Sequence, residues 1–321
     1  MKINIKMQGS PLAKSTVLFL LLICLVTDLF AQNRQDTLRL FIIGNSFSQN
    51  ASAFLPQMAK EMGKTLIIGR AELGGHSLEQ HWGYVEKAEA NVYDPKGKPY
   101  NGKSLKMLLE QGNWDIVTIQ QYSFLSGDSS SYYPYANKLV AYVKTLQPQA
   151  RIVIHQTWAY RSDAKKFGRI SEGITAKNQE EMWQKSRAAY HLLAKRINAR
   201  ILPVGDAFEM VATNKKYAFK PDLSFDYDHP VAPNLPDQTN SLNIGYFWNK
   251  DQLNFDPNHA NDAGKYLGGL IWYSILFNDD LKNVSFKPQR VSDDFAAYLK
   301  KVVSKVVRKR SMDNKNMVSI D

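Results

Sequence analysis

Five short segments with the character of buried strands alternate along this chain with stretches of helical pattern. The segments lie at Leu40–Ile43, Thr65–Leu73, Trp114–Ser123, Arg151–Trp158 and Ile201–Val204. The first is a continuous apolar run with two β-branched residues, which suits a strand covered on both faces. Strands that alternate with helices in this way predict a doubly wound α/β fold, in which right-handed crossovers build a parallel five-stranded sheet within one domain.

The N-terminus has the pattern of a secretory signal peptide. Three lysines precede the apolar core Val17–Val26, and small residues follow as far as Ala31. An apolar core of ten residues is short for a membrane span, although an uncleaved anchor is the alternative. We therefore expect cleavage after Ala31, a secreted or periplasmic protein without a stable membrane anchor, and a single domain over residues 32–321.

The only cysteine lies inside this leader. Cys24 follows the bulky Ile23, where a bacterial lipid-attachment site requires a small residue. The mature chain then offers no disulfide, no thiolate metal site and no cysteine nucleophile. Any chemistry must come from a serine or a metal.

The net charge of +11 is unevenly distributed. Residues 1–31 contribute +2 and residues 300–321 contribute +5, which leaves +4 for the main body. A body so close to neutrality does not favour nucleic-acid binding, and the basic C-terminal segment is explained by the solvated face of a final helix.

Small and polar residues follow the first strand. Gly44 permits a tight turn, and Ser46 then lies between a strand and a helix, at the edge of an open α/β sheet where ligands bind. A hydroxyl at this place can act as a nucleophile. The alternative is that Ser46 or Ser48 merely caps the next helix.

A serine nucleophile needs a base and a group that orients the base. Of the six histidines, only His259 lies just before a C-terminal helix with a carboxylate, Asp256, three positions upstream. One short segment can thus present both side chains to the same cleft.

These residues resemble the SGNH/GDSL hydrolase superfamily. Gly44-Asn-Ser46 is similar to its first block, Gly74-Gly75 after the second strand to its second block, and Asp256-Pro-Asn-His259 to its last block. The third block differs, because Gln120-Gln121-Tyr122-Ser123 replaces Gly-x-Asn-Asp. In this respect the chain resembles a less characterised branch, which also has the Thr-Trp-Ala segment seen at residues 157–159.

The resemblance implies an SGNH/flavodoxin-like three-layer sandwich and a set of roles. Ser46 would be the nucleophile, His259 the base, and Asp256 the residue that orients it. The amides of Ser46 and Gly75 and the side chain of Gln120 or Gln121 would bind the oxyanion. Apart from the resemblance, the aromatic ring of Trp158 is suited to stacking on a sugar ring of the substrate, and packing in the core is its alternative role. We expect no metal and no cofactor; in particular, His76 and His81 are five residues apart, which does not put them on one helix face.

The expected function is a secreted serine esterase that removes acyl groups, acetyl groups above all, from a small-molecule or polysaccharide ester. A lipase or thioesterase of the same fold is one alternative, and a catalytically silent carbohydrate-binding protein on the same scaffold is another. Residues 215–250, rich in proline and aromatic residues, predict a structureless loop insertion that forms a functional loop or lid.

Overall fold

The computed structural model describes residues 37–318, with side chains described up to Arg308. The strands are β1 (Thr37–Gly44), β2 (Thr65–Glu72), β3 (Ile116–Ile119), β4 (Arg151–His155), β5 (Arg169–Ser171), β6 (Ile174–Thr175), β7 (Arg200–Leu202), β8 (Asn243–Asn249) and β9 (Gln252–Ala260). The α-helices are α1 (Ser46–Ala51), α2 (Leu55–Glu61), α3 (Leu78–Ala90), α4 (Leu105–Leu109), α5 (Tyr135–Leu146), α6 (Gln179–Arg196), α7 (Val204–Ala212), α8 (Asp262–Leu276) and α9 (Asp293–Val318). The predicted signal peptide lies outside the described residues.

Five strands form one parallel sheet in the order β2-β1-β3-β4-β7. This is the flavodoxin-like order, which reverses direction between β1 and β3 and opens a crevice at the carboxyl ends of those strands. The predicted doubly wound parallel sheet is confirmed. Ser46 follows β1 directly and lies at this crevice.

Helices cover both faces of the sheet, and β1 is apolar on both of its faces. Leu40 and Ile42 pack with residues of α1, α2, α7, α8 and α9. Phe41 and Ile43 point to the other face and pack with α3, α4, α5 and α6. Burial on both faces explains the continuous apolar run in the sequence, and it makes the carboxyl end of β1 a rigid support.

The insertion differs from the prediction. Residues 243–249 and 252–260 form an antiparallel hairpin joined by Lys250 and Asp251, with Lys250 at φ +54°. Aromatic residues at 246–248 favour a strand, but the two-residue turn lacks the glycine that usually marks such a hairpin. Asp256 and His259 lie on strand β9, which leads into α8.

Two further features concern the connections between strands. The first helical stretch is two helices, α1 and α2, separated at Ser52–Phe54. A short hairpin of β5 and β6 lies in the connection after β4. Over residues 37–318, no helix has the length and apolarity that crossing a membrane requires.

Candidate active site

Ser46 is the first residue of α1 and is held by the turn before it. The side chain of Asn45 caps the helix by accepting a hydrogen bond from the Phe47 N–H at 3.0 Å. A Cβ on Gly44 would lie 2.5 Å from Ser48 Oγ, so the close approach of the helix requires glycine. The cap is therefore Asn45, and Ser46 is left partly exposed at the crevice.

Ser46, His259 and Asp256 form a continuous hydrogen-bonded chain. Ser46 Oγ lies 2.9 Å from His259 Nε2, and His259 Nδ1 lies 2.8 Å from Asp256 Oδ2. The side chains of His259 and Asp256 are 37% and 25% exposed, so the chain is open to solvent and to a small substrate. The structure brings together the three residues that the sequence analysis selected.

The environment of Asp256 keeps its carboxylate ionised. Burial alone would raise the pKa of Asp256, but hydrogen bonds from the His259 side chain and N–H, together with that histidine's charge and the Asn258 N–H, lower it overall. An ionised acceptor at Nδ1 places the proton of neutral His259 on that nitrogen. Nε2 is then free to accept the Ser46 hydroxyl proton.

The glycine loop after β2 is tied to the Ser46 turn by two hydrogen bonds. The Leu73 N–H donates to the Gly44 carbonyl at 3.1 Å, and Asn45 Nδ2 donates to the His76 carbonyl at 2.9 Å. Gly75 lies between them with φ +69°, a conformation that favours glycine. Among the described residues, the N–H groups of Ser46 and Gly75 have no hydrogen-bond acceptor.

The two glutamines after β3 were expected to point into the crevice, but neither does. The side-chain contacts of Gln121 are all internal. Its Oε1 accepts from the N–H groups of Leu78 and Tyr122, and its Nε2 donates to Ser131. Gln120 donates to Asn45 Oδ1 at 2.7 Å. With 2% and 0% of their surface exposed, Gln120 and Gln121 lie behind the crevice, so their assignment as oxyanion donors is corrected.

Trp158 is also not a substrate contact. It is 1% exposed and is stacked between Phe47 at 4.3 Å and Phe208 at 4.6 Å, as measured between ring centroids. Its Nε1–H donates to the Asn258 carbonyl at 2.8 Å. Because it touches both α1 and the segment that carries His259, Trp158 supports the geometry of the two halves of the site from within the core.

Arg161 is a second support that the sequence analysis missed. Its N–H donates to the Pro257 carbonyl at 2.9 Å, and its buried guanidinium pairs with Asp163 at 2.7 Å and packs against the Phe255 ring. Nothing local in the sequence signals this role, because Arg161 and Pro257 are far apart along the chain.

The remaining histidines of this region have internal partners. His81 is fully buried between Tyr100 and the Gly44 carbonyl, and His76 contacts Tyr84 and the Gly74 carbonyl. Within the described part of the chain, no group of three or more His, Cys, Asp or Glu residues is arranged to hold a metal ion.

Comparison with known families assigns this chain to one of them. A family model described as a domain of unknown function, DUF4886, matches residues 39–219, more than half of the sequence. The chain belongs to the DUF4886 family. The matched segment contains Ser46 and Gly75, whereas Asp256 and His259 lie beyond its end, so the DUF4886 match covers only one half of the candidate site. No curated protein matches the chain.

A solved structure from the same family is similar in fold. A DUF4886 family protein from Bacteroides uniformis is 23% identical, with a TM-score of 0.64 over 85% of this chain and 95% of that one. A protein from Parabacteroides merdae described as a GDSL-like lipase is 11% identical, with a TM-score of 0.44 over 76% of this chain and 96% of that one. The sheet order of this DUF4886 chain agrees with its resemblance to the SGNH/GDSL superfamily, and at the level of fold that resemblance is confirmed.

Proposed function

We propose that this DUF4886 protein is a secreted serine esterase that hydrolyses acyl esters, with acetyl esters of carbohydrates as its substrate class. The observation that carries the proposal is the hydrogen-bonded chain Ser46–His259–Asp256 at the carboxyl edge of the sheet. A neutral imidazole with its proton directed at a carboxylate is the base that a serine nucleophile needs.

The reaction has two steps. Ser46 Oγ attacks the acyl carbonyl while His259 Nε2 takes its proton; the tetrahedral intermediate then breaks its bond to the alcohol oxygen, which leaves with that proton. Water next attacks the acyl-serine, giving its proton to Nε2, and the Ser46 oxygen leaves with the same proton. Asp256 orients the imidazole and stabilises its charge in both steps.

The N–H groups of Ser46 and Gly75 are the proposed oxyanion donors. The first belongs to the nucleophile itself, and the second lies in the loop that Leu73 and Asn45 hydrogen bonds attach to the same turn. Removing one such donor from an acyl-transfer site costs about 10²–10³ in rate. Both are backbone groups, which is consistent with the internal positions of Gln120 and Gln121.

Aromatic side chains on the hairpin and in the segment before it support a carbohydrate ester. Phe255, next to Asp256, stacks on Tyr246 with 4.2 Å between ring centroids, and Tyr227 lies 5.0 Å from Tyr246. Tyr227 is 38% exposed and Phe247 39%. Exposed aromatic faces are suited to stacking on sugar rings.

The first experiment measures hydrolysis of an activated acetate ester by the mature protein and by the Ser46→Ala and His259→Ala variants, with and without chelator. We expect turnover by the wild type in both conditions and a fall to the uncatalysed rate in both variants. The chain offers a matched control in His229, which also follows an aspartate by three residues and contacts it, but is 86% exposed. The His229→Ala variant should keep full activity.

Substrate panels separate the alternatives. Acetylated oligosaccharides should be better substrates than long-chain acyl esters or thioesters; the reverse order would indicate a lipase or thioesterase. Binding of oligosaccharide by an inactive wild type, unchanged in Ser46→Ala, would indicate a silent binding protein.

Secretion is tested by N-terminal sequencing of the exported protein, which should begin at Gln32.

A further inference from the structure

Three buried amide and imidazole side chains form a row directly behind the Ser46 turn. Asn45, Gln120 and His155 follow or end the neighbouring strands β1, β3 and β4, and each is 1–2% exposed. His155 Nδ1 lies 2.8 Å from Gln120 Oε1, and Gln120 Nε2 lies 2.7 Å from Asn45 Oδ1. The row ends where Asn45 Nδ2 meets the His76 carbonyl.

The direction of every hydrogen bond in this row is determined. The Phe47 N–H donates to Asn45 Oδ1, so this atom is the acceptor oxygen and the Gln120 atom facing it is the donor nitrogen. Gln120 must then present its oxygen to His155, which carries its proton on Nδ1. The three side chains thus form one donor-to-acceptor series that runs from His155 to the His76 carbonyl.

We propose that Gln120 and His155 are positioning residues that act through Asn45 to hold the Ser46 turn and the glycine loop in register for ester hydrolysis. This inference rests on the proposed function. None of the three side chains is exposed enough to touch a substrate, so their effect is transmitted by geometry.

Asn45 is the point where the series acts on the site. Its oxygen binds the N–H of Phe47, the residue after Ser46, and its nitrogen binds the carbonyl of His76, the residue after Gly75. The two proposed oxyanion donors are therefore each one residue away from an atom held by the same side chain. A tilt of Asn45 changes the distance between them, and misplacements of about 1 Å can cost about 10²-fold in rate.

The Gln120→Glu variant tests this role. When the introduced carboxyl is protonated it can still donate to Asn45 Oδ1 and accept from His155; when it ionises, two acceptor oxygens face each other. We expect kcat for the acetate ester to be near that of the wild type at low pH and to fall at least tenfold, with KM within twofold, as the carboxyl ionises. The wild type should show no such falling limb.

A matched pair of substitutions tests the other end of the row. Asparagine at position 155 can place an amide N–H where the Nδ1–H was, whereas leucine cannot, so His155→Asn should retain most of kcat and His155→Leu should lose at least tenfold. Thr118→Val is the control, because Thr118 is buried on β3 and its hydroxyl has no partner among the described residues. Its kcat should equal that of the wild type.

An NMR readout separates this inference from the proposed function. In Gln120→Glu, the Asn45 side-chain amide and the Phe47 N–H resonances should shift with the same pH midpoint as kcat. If the wild type hydrolyses no ester but these resonances shift, the esterase proposal fails, while the inferred control of the Ser46 turn by Gln120 through Asn45 stands. If the folded variants keep wild-type kcat, pH profile and resonances, the positioning role is refuted. If Gln120→Glu does not fold, the two variants at position 155 decide.

Discussion

Two histidines buried near the candidate site make the folded protein sensitive to acid. His81 and His155 are fully buried, and burial lowers the pKa of His81 to about 4 and that of His155 to about 3. In the unfolded chain both have the ordinary value of about 6.5. The folded protein therefore keeps both rings neutral at pH values where the unfolded chain protonates them.

The sign and size of the effect follow from this difference. Because the unfolded state binds more protons, stability is fully present above pH 6.5 and is lost as pH falls toward the folded pKa values. Between pH 6.5 and pH 5, at about 1.36 kcal/mol per pH unit, each histidine lowers the free energy of unfolding by about 2 kcal/mol. The two together remove about 4 kcal/mol, a large part of the roughly 5–15 kcal/mol typical of a domain.

Urea unfolding at pH 7.5 and pH 5 measures this loss in the wild type and in two variants. His155→Asn keeps a donor toward Gln120, and His81→Gln keeps a donor toward the Gly44 carbonyl, yet neither variant titrates in this range. Each should lose about 2 kcal/mol less than the wild type between the two pH values. Carboxylates contribute equally to all three proteins and cancel in the comparison.

The control is His229→Asn, since His229 is 86% exposed and this variant should lose as much stability as the wild type. The reasoning is refuted if His155→Asn and His81→Gln show the same loss between pH 7.5 and pH 5 as the wild type does.

Three further substitutions probe the site. Asp256→Asn should reverse the imidazole tautomer and lower kcat by about 10⁴-fold at unchanged stability, which steady-state kinetics and thermal unfolding will check; a loss below tenfold would contradict the role of Asp256. Trp158→Phe removes the hydrogen bond to Asn258 and part of the stacked core, and should cost about 2 kcal/mol in urea unfolding; no loss would mean that the tryptophan is not the support described. Gly75→Ala has room for its methyl group but a left-handed backbone, so it should cost about 1 kcal/mol of stability and lower kcat more than it raises KM; an unchanged kcat would remove Gly75 from the oxyanion site.

Local patterns in the sequence were sufficient to predict the scaffold and to select the candidate site residues. Continuous apolar runs predicted the inner strands β1, β3 and β4, which are largely buried on both faces, whereas the edge strand β2 also carries polar residues. The capping box of Ser77 and Gln80, which begins α3, is a local signal of the same kind. Ser46, Asp256 and His259 could be selected because the type and spacing of such residues are constrained by their chemistry.

Other features required long-range packing. The aromatic segment before Asp256 was expected to be structureless, yet it pairs with β9, since pairing depends on a partner strand and not on its own pattern alone. Gln120 and Gln121 were assigned to the oxyanion site through the family resemblance, and Trp158 to the substrate through its aromatic ring. All three side chains lie in the interior of the structure.

The sequence by itself determined the alternation of the five strands of the parallel sheet with helices, and it selected the nucleophile, base and carboxylate proposed here. Only the tertiary structure decided which polar groups at the carboxyl ends of the strands face a substrate and which bind one another. Asn45, Gln120 and His155 are 75 and 35 residues apart along the chain and meet because β1, β3 and β4 are neighbours in the sheet. Hydrogen-bond direction among such residues is a property of strand order and packing, which no local pattern encodes.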